Sequence, residues 1–427
     1  MTSLLKDASI LSMEPGRDIY QADVYIEEGE IKQIAQGIER KADFVYDCQG
    51  NLLLPGFKNA HTHSPMTFSR SYSDDLPLHE WLFNRIFPLE DLIKPGDQYH
   101  LCKLAILEYL SSGMTACFDM YYSPLEMAKA SEELGFKTVL LGTVNDNRES
   151  VAEMVDYYKT INGKNPLIRY ELGFHAEYTC KEEILVELSK ASHLLKCPVY
   201  SHTSETPREV EECKKRHNGL SPVEYADSLG LLDYGGGGFH GVAFSKRDME
   251  IYASRGASLV SCPGSNAKLA SGIAPLVEME EKGINLGLGT DGPGSNNGLD
   301  MFYEMRLACV LQKLRLNDTS AFKGISALKA ATVGSAKAMG LSDSLYVKVG
   351  QRADLLLIDL NRPNMRPFND LPNNLVYSGA KDDVKMTMVE GRPLYLDGGF
   401  NLPQSVDSII AEAEEVTSRL KKEFESR

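Results

Sequence analysis

Residues 51–66 read NLLLPGFKNAHTHSPM, an apolar run that passes a Pro-Gly pair and ends in two histidines one residue apart. Such a short run without helical spacing reads as a buried strand with a polar tip. The pattern returns along the chain. Strands are predicted at 51–57 (NLLLPGF), 113–120 (GMTACFDM), 137–144 (KTVLLGTV), 168–175 (IRYELGFH), 197–203 (CPVYSHT), 236–244 (GGGFHGVAF), 257–263 (ASLVSCP) and 285–291 (NLGLGTD). QYHLCKLAILEYLSS (98–112), PLEMAKASEELG (124–135), KEEILVELSKASHLLK (181–196), KRDMEIYASRG (246–256) and MFYEMRLACVLQKL (301–314) carry apolar residues at three- and four-residue spacing, the helical period. Strand then helix, eight times over, is the plan of an α/β fold closed as a (β/α)8 barrel. An open doubly wound sheet is the alternative, and the strand count opposes it.

On either side of this rhythm the pattern changes. DVYIEEGEIKQIA (23–35) and FVYDCQGN (44–51) alternate in polarity, as do VKVGQRADLLLIDL (347–360) and VKMTMVEGRPLYLDG (384–398). Residues 1–54 and 347–400 are therefore expected to pair into one small composite β-sandwich domain, with the barrel spanning 55–346. SVDSIIAEAEEVTSRLKKEF has the helical period, so 401–427 is expected to form a C-terminal helix packed on the surface.

The composition fits a large globular core: 427 residues, 43% hydrophobic and 25% charged. A net charge of −15, with no lysine- or arginine-rich block, argues against nucleic acid or an anionic membrane as partner. No apolar run approaches the ~18 residues of a membrane span, and MTSLLKDASILSM lacks the layout of an export signal. The eight cysteines are scattered without a C-x-x-C pair, which fits reduced thiols and a cytoplasmic location.

In a β/α barrel the active site lies at the C-terminal strand ends. Five of the nine histidines fall there: His61 and His63 beyond the first strand, His175 ending the fourth, His202 on the fifth and His240 on the sixth. Glu205 follows His202 by three residues, and Asp291 ends the eighth strand. Two histidines one residue apart on an extended segment face the same side, which suits a metal. His61, His63, His202 and Asp291, with one position left for water, make a plausible zinc shell. Glu205 is placed to shuttle a proton or to orient His202. His240 is placed to orient an attacking water, or to serve as a fifth ligand if two ions bind. No lysine ends the fourth strand to bridge two metals, which favours one ion. His175 faces the substrate or is structural; His79, His100, His193 and His217 lie away from the strand ends and receive no role.

Two glycine motifs mislead. GLGTDG (287–292) spells a dinucleotide fingerprint, but Pro293, Gly294 and Asn296 delay any following helix. GGGG (235–238) lacks the Gly-Lys-Ser/Thr of a phosphate loop and reads as a tight turn entering the sixth strand.

PGFKNAHTHSPM, SHTSET, CPGSNAKLASGIAPL and GLGTDGPGSNNGLDMFYEMR resemble motifs of the amidohydrolase superfamily, in the aminohydrolase branch that includes the 5′-methylthioadenosine/S-adenosylhomocysteine deaminases and the triazine chlorohydrolases. The resemblance spans nearly the whole chain, and GQRADLLLIDL is similar to the return of such chains to the small β domain. It implies one zinc per subunit, or iron as in some members, held by His61, His63, His202 and Asp291. Glu205 and His240 are then catalytic together with Asp291, and the protein is a homo-oligomer. DDLPLHEWLFNRIFPLE (74–90) resembles the segment that closes over a nucleoside, which implies Glu90 at the ribose hydroxyls, Trp81 at the 5′ end, and Arg148 and His175 at the purine. Two departures stand out. KTVLLGTVND supplies no arginine upstream of Arg148 for an amino-acid carboxylate, and Phe239 and Ser261 stand where the family pattern has Ala and His, which marks the base pocket as altered.

The expectation is a hydrolytic deaminase acting on a 5′-modified adenosine such as 5′-deoxyadenosine or 5′-methylthioadenosine. The alternatives are another heterocycle (guanine, cytosine, a pterin or a triazine) and, more remotely, a metal-stabilised binding protein without turnover.

Overall fold

The computed structural model describes residues 1–72, 74–76 and 78–426. Eight strands form the barrel wall: β1 (Phe57–Thr62), β2 (Met114–Met120), β3 (Lys137–Leu141), β4 (Ile168–Gly173), β5 (Val199–Thr203), β6 (Gly236–His240), β7 (Ser258–Ser261) and β8 (Asn285–Leu288). Each pairs with the next in parallel. Between β8 and β1 a seam of individual bonds closes the wall. Asn59 Nδ2 donates to Thr290 Oγ1 at 2.7 Å, the Thr290 N–H donates to Asn59 Oδ1 at 2.9 Å, and the Asp291 N–H donates to the His61 carbonyl at 3.0 Å. Below the catalytic end the barrel is filled by Phe118, Tyr200 and Phe239, with ring centres 4.9 Å apart for the first pair and 6.0 Å for Phe118 and Phe239. The interior is thus a packed core, as small barrels require.

All five helical stretches read from the sequence are helices: Asp97–Ser111, Pro124–Leu134, Glu182–Leu195, Lys246–Arg255 and Met301–Leu316. Two strand expectations need correction. The run 51–57 is two strands in different sheets, Leu52–Pro55 in the small domain and β1 in the barrel. Both are buried and apolar, so composition cannot separate them, and the break falls at Pro55-Gly56. The glycines of GGGG lie mostly within β6 rather than in a turn before it. A Cβ on Gly237 would stand 1.9 Å from the Ser258 carbonyl oxygen, so the neighbouring strand leaves no room for a side chain.

Strands from both chain ends make one mixed sheet of nine strands. Its joint is the antiparallel pairing of Leu52–Pro55 with Leu355–Ile358, over a shared core that includes Leu5, Ile10, Leu53, Leu355 and Met386. The helix Val406–Glu425 buries Ala413, Val416 and Leu420 against Phe68, Leu89 and Leu101. It braces the segment that carries Glu90. None of the eight cysteines is paired, and among the described residues no helix is long and apolar enough to cross a membrane.

Buried charges connect the barrel to the small sheet. Lys137 on β3 pairs with Asp354 and Glu390, and Asp354 also accepts from Ser344 Oγ at 2.7 Å and from the Glu390 N–H at 2.8 Å. Lys58 on β1 is fully buried and donates only to the Gly56 carbonyl, at 2.9 Å. Burial pushes its pKa down to about 8; Asp354 opposes this and Lys137 adds to it. For a base depressed on folding, the unfolded chain binds more protons between pH 8 and its ordinary value, so the charge weighs on the fold fully below pH 8. Lys58→Met is therefore expected to stabilise the protein by about 1–3 kcal/mol at pH 7. The gain should shrink as pH rises toward 10.5. Denaturant titrations of both proteins across that range check it; a gain that grows with pH would contradict the assignment.

Candidate metal centre and active site

The ends of β1 and β5 and the loop after β8 converge at the catalytic end of the barrel. There the ligand nitrogens of His61, His63 and His202 lie within 4.8 Å of one another. Asp291 Oδ1 stands 3.2 Å from His63 Nε2 and 3.6 Å from His61 Nε2, and His63 Nε2 is 3.4 Å from His202 Nε2. His61 is fully buried, yet neither of its ring nitrogens has a hydrogen-bond partner. Such an orphan costs about 1–3 kcal/mol unless something else takes its lone pair. The other two rings are already aimed: His63 Nδ1 donates to the Met120 carbonyl at 2.5 Å and His202 Nδ1 to the His175 carbonyl at 2.7 Å. Each Nε2 lone pair is thereby turned into the cluster, as second partners of metal-bound histidines do. Three imidazole nitrogens and one carboxylate oxygen fit a zinc or ferrous ion.

The charges agree. Burial, reinforced by the neighbouring imidazoles, keeps His61 and His202 well below the usual histidine range, hence neutral. Burial opposes the charged form of Asp291, but His63, His240 and His61 outweigh it and hold the carboxyl well below its ordinary value. Asp291 is therefore an anion. A second cluster, Glu177, Cys213 and His217, has its carboxylate occupied by the Arg216 guanidinium and by His217 Nε2 at 2.7 Å. It reads as an ion-pair brace for the helix Pro207–Arg216 rather than a metal site.

Around the centre stand the two remaining chemical groups. His240 Nδ1 donates to Asn266 Oδ1 at 2.9 Å, so Nε2 is left as the free acceptor. Glu205 is buried, and burial raises its pKa; His240 pulls it down and Asp291 adds to the rise. Its only side-chain contact within hydrogen-bond range is Ser271 Oγ at 3.5 Å. Glu209 accepts the N–H groups of Ser204 and Glu205 at 2.7 and 2.8 Å, which fixes the turn that carries Glu205. Asp291 Oδ2 accepts from Ser265 Oγ at 2.6 Å. His240 (φ 72°) and Asp291 (φ 61°) both adopt left-handed backbone, a strained choice for residues with side chains.

Ser265, Asn266 and Glu209 were not singled out from the sequence. Ser265 and Asn266 were visible as a polar pair directly after the seventh strand, in CPGSNAKLASG; nothing in composition says what such a pair holds.

A cavity opens above the centre. His63, His202, Glu205, His240 and Asp291 form its floor, and Trp81, Glu90 and His175 also line it. Trp81 and Glu90 come from one helical excursion over residues 78–90, whose middle, Leu82–Ile86, widens into a π-helical turn of the kind often found at functional sites. Of the predicted closing segment, Pro77 lies outside the described residues. Glu90 Oε1 accepts from Tyr121 OH at 2.7 Å. Burial sets His175 at about 4, so its ring is neutral at physiological pH.

Arg148 stands beside Glu90 but does not line this cavity. Its guanidinium donates to Asp91 at 2.6 Å, lies 4.2 Å from the Tyr122 ring centre, and lines a neighbouring cavity beyond Glu90. Phe239 and Ser261 do not line the active cavity either. Phe239 stacks beneath His61 at 3.8 Å, inside the barrel core below the site. Neither position therefore changes the lining of this cavity. His100, His193 and His217 pair with Glu412, Asp233 and Glu177 away from the centre, while the His79 side chain lies outside the described residues.

Comparison with known proteins agrees with this geometry. The sequence profile of the Amidohydrolase family matches residues 52–394. The chain is 41% identical to a 5-methylthioadenosine/S-adenosylhomocysteine deaminase of Pyrococcus furiosus over 90% of this chain and 92% of that one. It is 36% identical to a 5′-deoxyadenosine deaminase of Methanosarcina acetivorans over 98% of each. In structure it is similar to a zinc-bound adenosine deaminase from Xanthomonas campestris, with a TM-score of 0.93, 28% identity and 98% of both chains covered. A match that starts in the small sheet at Leu52, runs through all eight barrel strands and returns to the sheet places the chain in the amidohydrolase family.

Proposed function

We propose that this protein is a metal-dependent hydrolytic deaminase that replaces the exocyclic amino group of a 5′-modified adenosine with oxygen and releases ammonia. The observation that carries the reading is a buried three-histidine, one-aspartate cluster flanked by Glu205 and His240 on the floor of a cavity that also holds a buried Glu90. The deaminase relatives, at 36–41% identity over most of the chain, support the substrate class.

The ion, which we take to be zinc with iron as the alternative, would be held by His61, His63, His202 and Asp291. When bound it supplies Lewis acidity that brings the pKa of water toward ~7. Asp291, an anion fixed by Ser265, accepts a proton from the attacking water. His240, fixed by Asn266, presents Nε2 to that water and sets its line of approach to the ring carbon. Glu205, whose pKa burial raises, donates its proton to the ring nitrogen beside that carbon and takes back the remaining hydroxyl proton as the carbonyl forms, while the proton accepted by Asp291 goes to the departing amine. One water enters, and one ammonia and one carbonyl product leave.

Glu90, held by Tyr121, is placed to accept from the ribose hydroxyls. Met66, Trp81, Leu82, Ile86 and Phe87 make one wall of the cavity apolar, and no lysine or arginine lines it among the described residues. A small uncharged 5′ group fits that wall, and a free amino-acid carboxylate does not.

The test is ammonia release by zinc-loaded protein from adenosine, 5′-deoxyadenosine, 5′-methylthioadenosine, S-adenosylhomocysteine, guanine, cytosine and an aminotriazine. The small 5′-modified adenosines should be turned over with kcat/KM about 10- to 100-fold above S-adenosylhomocysteine, the cost of an unpaired buried charge. Glu90→Ala should lower kcat/KM for the ribosides by about 10- to 100-fold, a charged hydrogen bond's worth. Silence on every adenosine would refute the nucleoside reading.

A further inference from the structure

His240 and Asp291 stand on different strands, yet both are held from one place. The short helix Pro263–Lys268, just beyond β7, offers Ser265 Oγ to Asp291 Oδ2 and Asn266 Oδ1 to His240 Nδ1. Six residues do not make a stable helix by themselves, so the support must come from outside. It comes from Glu304, fully buried near the start of the helix Met301–Leu316. The Gly264 N–H donates to Glu304 Oε2 at 2.8 Å, and Asn296 Nδ2 donates to Glu304 Oε1 at 2.8 Å. Asn296 Nδ2 also donates to the carbonyl of Thr290, at 2.7 Å, the residue directly before Asp291. One carboxylate thus ties the helix after β7 to the loop after β8. The approach is close: a Cβ on Gly264 would stand 2.4 Å from Glu304 Oε1 and 2.5 Å from Asn296 Oδ1, so only glycine admits the clamp. Burial raises the Glu304 pKa to about 8, so it is as a pair of hydrogen-bond acceptors rather than as a charge that the side chain holds the clamp, a role an amide nitrogen cannot fill. Glu304 touches neither the cavity nor the metal cluster, so the mechanism above leaves it without a role.

We propose that Glu304 is a positioning residue for the reaction, holding the Gly264–Asn266 segment against the Asp291 loop so that Asn266 aims His240 and Ser265 aims Asp291. The proposal rests on the deaminase reading. Its test uses zinc-loaded Glu304→Gln, whose amide must turn an N–H toward one of two groups that themselves donate. For 5′-deoxyadenosine, kcat should fall by about 10- to 100-fold with KM within about threefold, the signature of a misplaced catalytic group rather than lost binding. Zinc content by elemental analysis should stay at that of the wild type. Amide hydrogen exchange across 263–268 should quicken by about tenfold or more, reporting the released clamp without reference to turnover.

Unchanged kcat together with unchanged exchange would overturn the proposal. If Glu304→Gln fails to fold, Asn266→Leu and Asn266→Asp decide. Asn266→Asp keeps an acceptor for His240 Nδ1 and should recover most of the kcat that Asn266→Leu loses; equal loss in both overturns the chain of support. Wild-type protein that releases no ammonia from any adenosine refutes the deaminase reading instead, and the exchange comparison still decides the clamp.

Discussion

Glu205→Gln is expected to lower kcat for 5′-deoxyadenosine by about 10²–10⁴-fold while the metal content stays at the wild-type level. That range equals about 3–5 kcal/mol of transition-state stabilisation. Glutamine has the same shape and can keep the contact with Ser271 Oγ, but it cannot give up and take back a proton. The backbone of the turn is held by Glu209 through the N–H groups of Ser204 and Glu205, so the side-chain change leaves its path alone. Glu205 is also not part of the histidine cluster that would hold the ion. Steady-state ammonia release with elemental analysis of the same sample checks the prediction. Undiminished turnover at full metal content would remove Glu205 from the proton path.

Stripping the metal with a chelator should abolish turnover and lower Tm, and both should return on adding zinc or ferrous ion. The loss of activity follows from the chemistry of water at neutral pH. The loss of stability follows from where the ligands stand. His61 lies on the first barrel strand and Asp291 just beyond the last, beside the bond from the Asp291 N–H to the His61 carbonyl that helps close the seam. An ion at that point stabilises the closed barrel by mass action, on the order of 4 kcal/mol at a thousandfold excess over Kd. Without it, the buried His61 nitrogens have no hydrogen-bond partner among the described residues. Calorimetry of metal-free and reloaded protein reads the shift. Full turnover in protein shown by elemental analysis to be metal-free would overturn the metal's role.

The barrel was legible because its signal is repeated: each strand is short and apolar, each helix has its own period, and eight repeats outweigh an error in any one. The first strand shows the limit. Leu52–Leu54 and Phe57–Ala60 are equally buried, and only pairing partners assign one to the small sheet and the other to the barrel. The convergence of the histidines was legible because histidine is scarce here and its positions fall at strand ends. Asn266, Ser265 and Glu304 were not, because each acts through a partner far away in the chain, and Glu209 was not because nothing in its helix shows that its side chain caps the turn before it. An asparagine that steadies a histidine looks, in sequence, like any loop asparagine. For Arg148, named from the resemblance, the sequence did not reveal that Asp91 and Tyr122 hold its guanidinium beside Glu90 in a neighbouring cavity.

The left-handed backbone at His240 bears on how this protein can be engineered. A side chain there costs on the order of 1–3 kcal/mol that glycine would not incur. His240→Gly would relieve that strain but would also empty a buried site and leave Asn266 Oδ1 without its donor, so the terms offset. On the proposed mechanism it also removes the group that aims the attacking water. Selection for shelf life therefore has little to gain at this residue and turnover much to lose, and durable, active variants come from positions such as Lys58, where the burden on the fold has no part in the proposed chemistry.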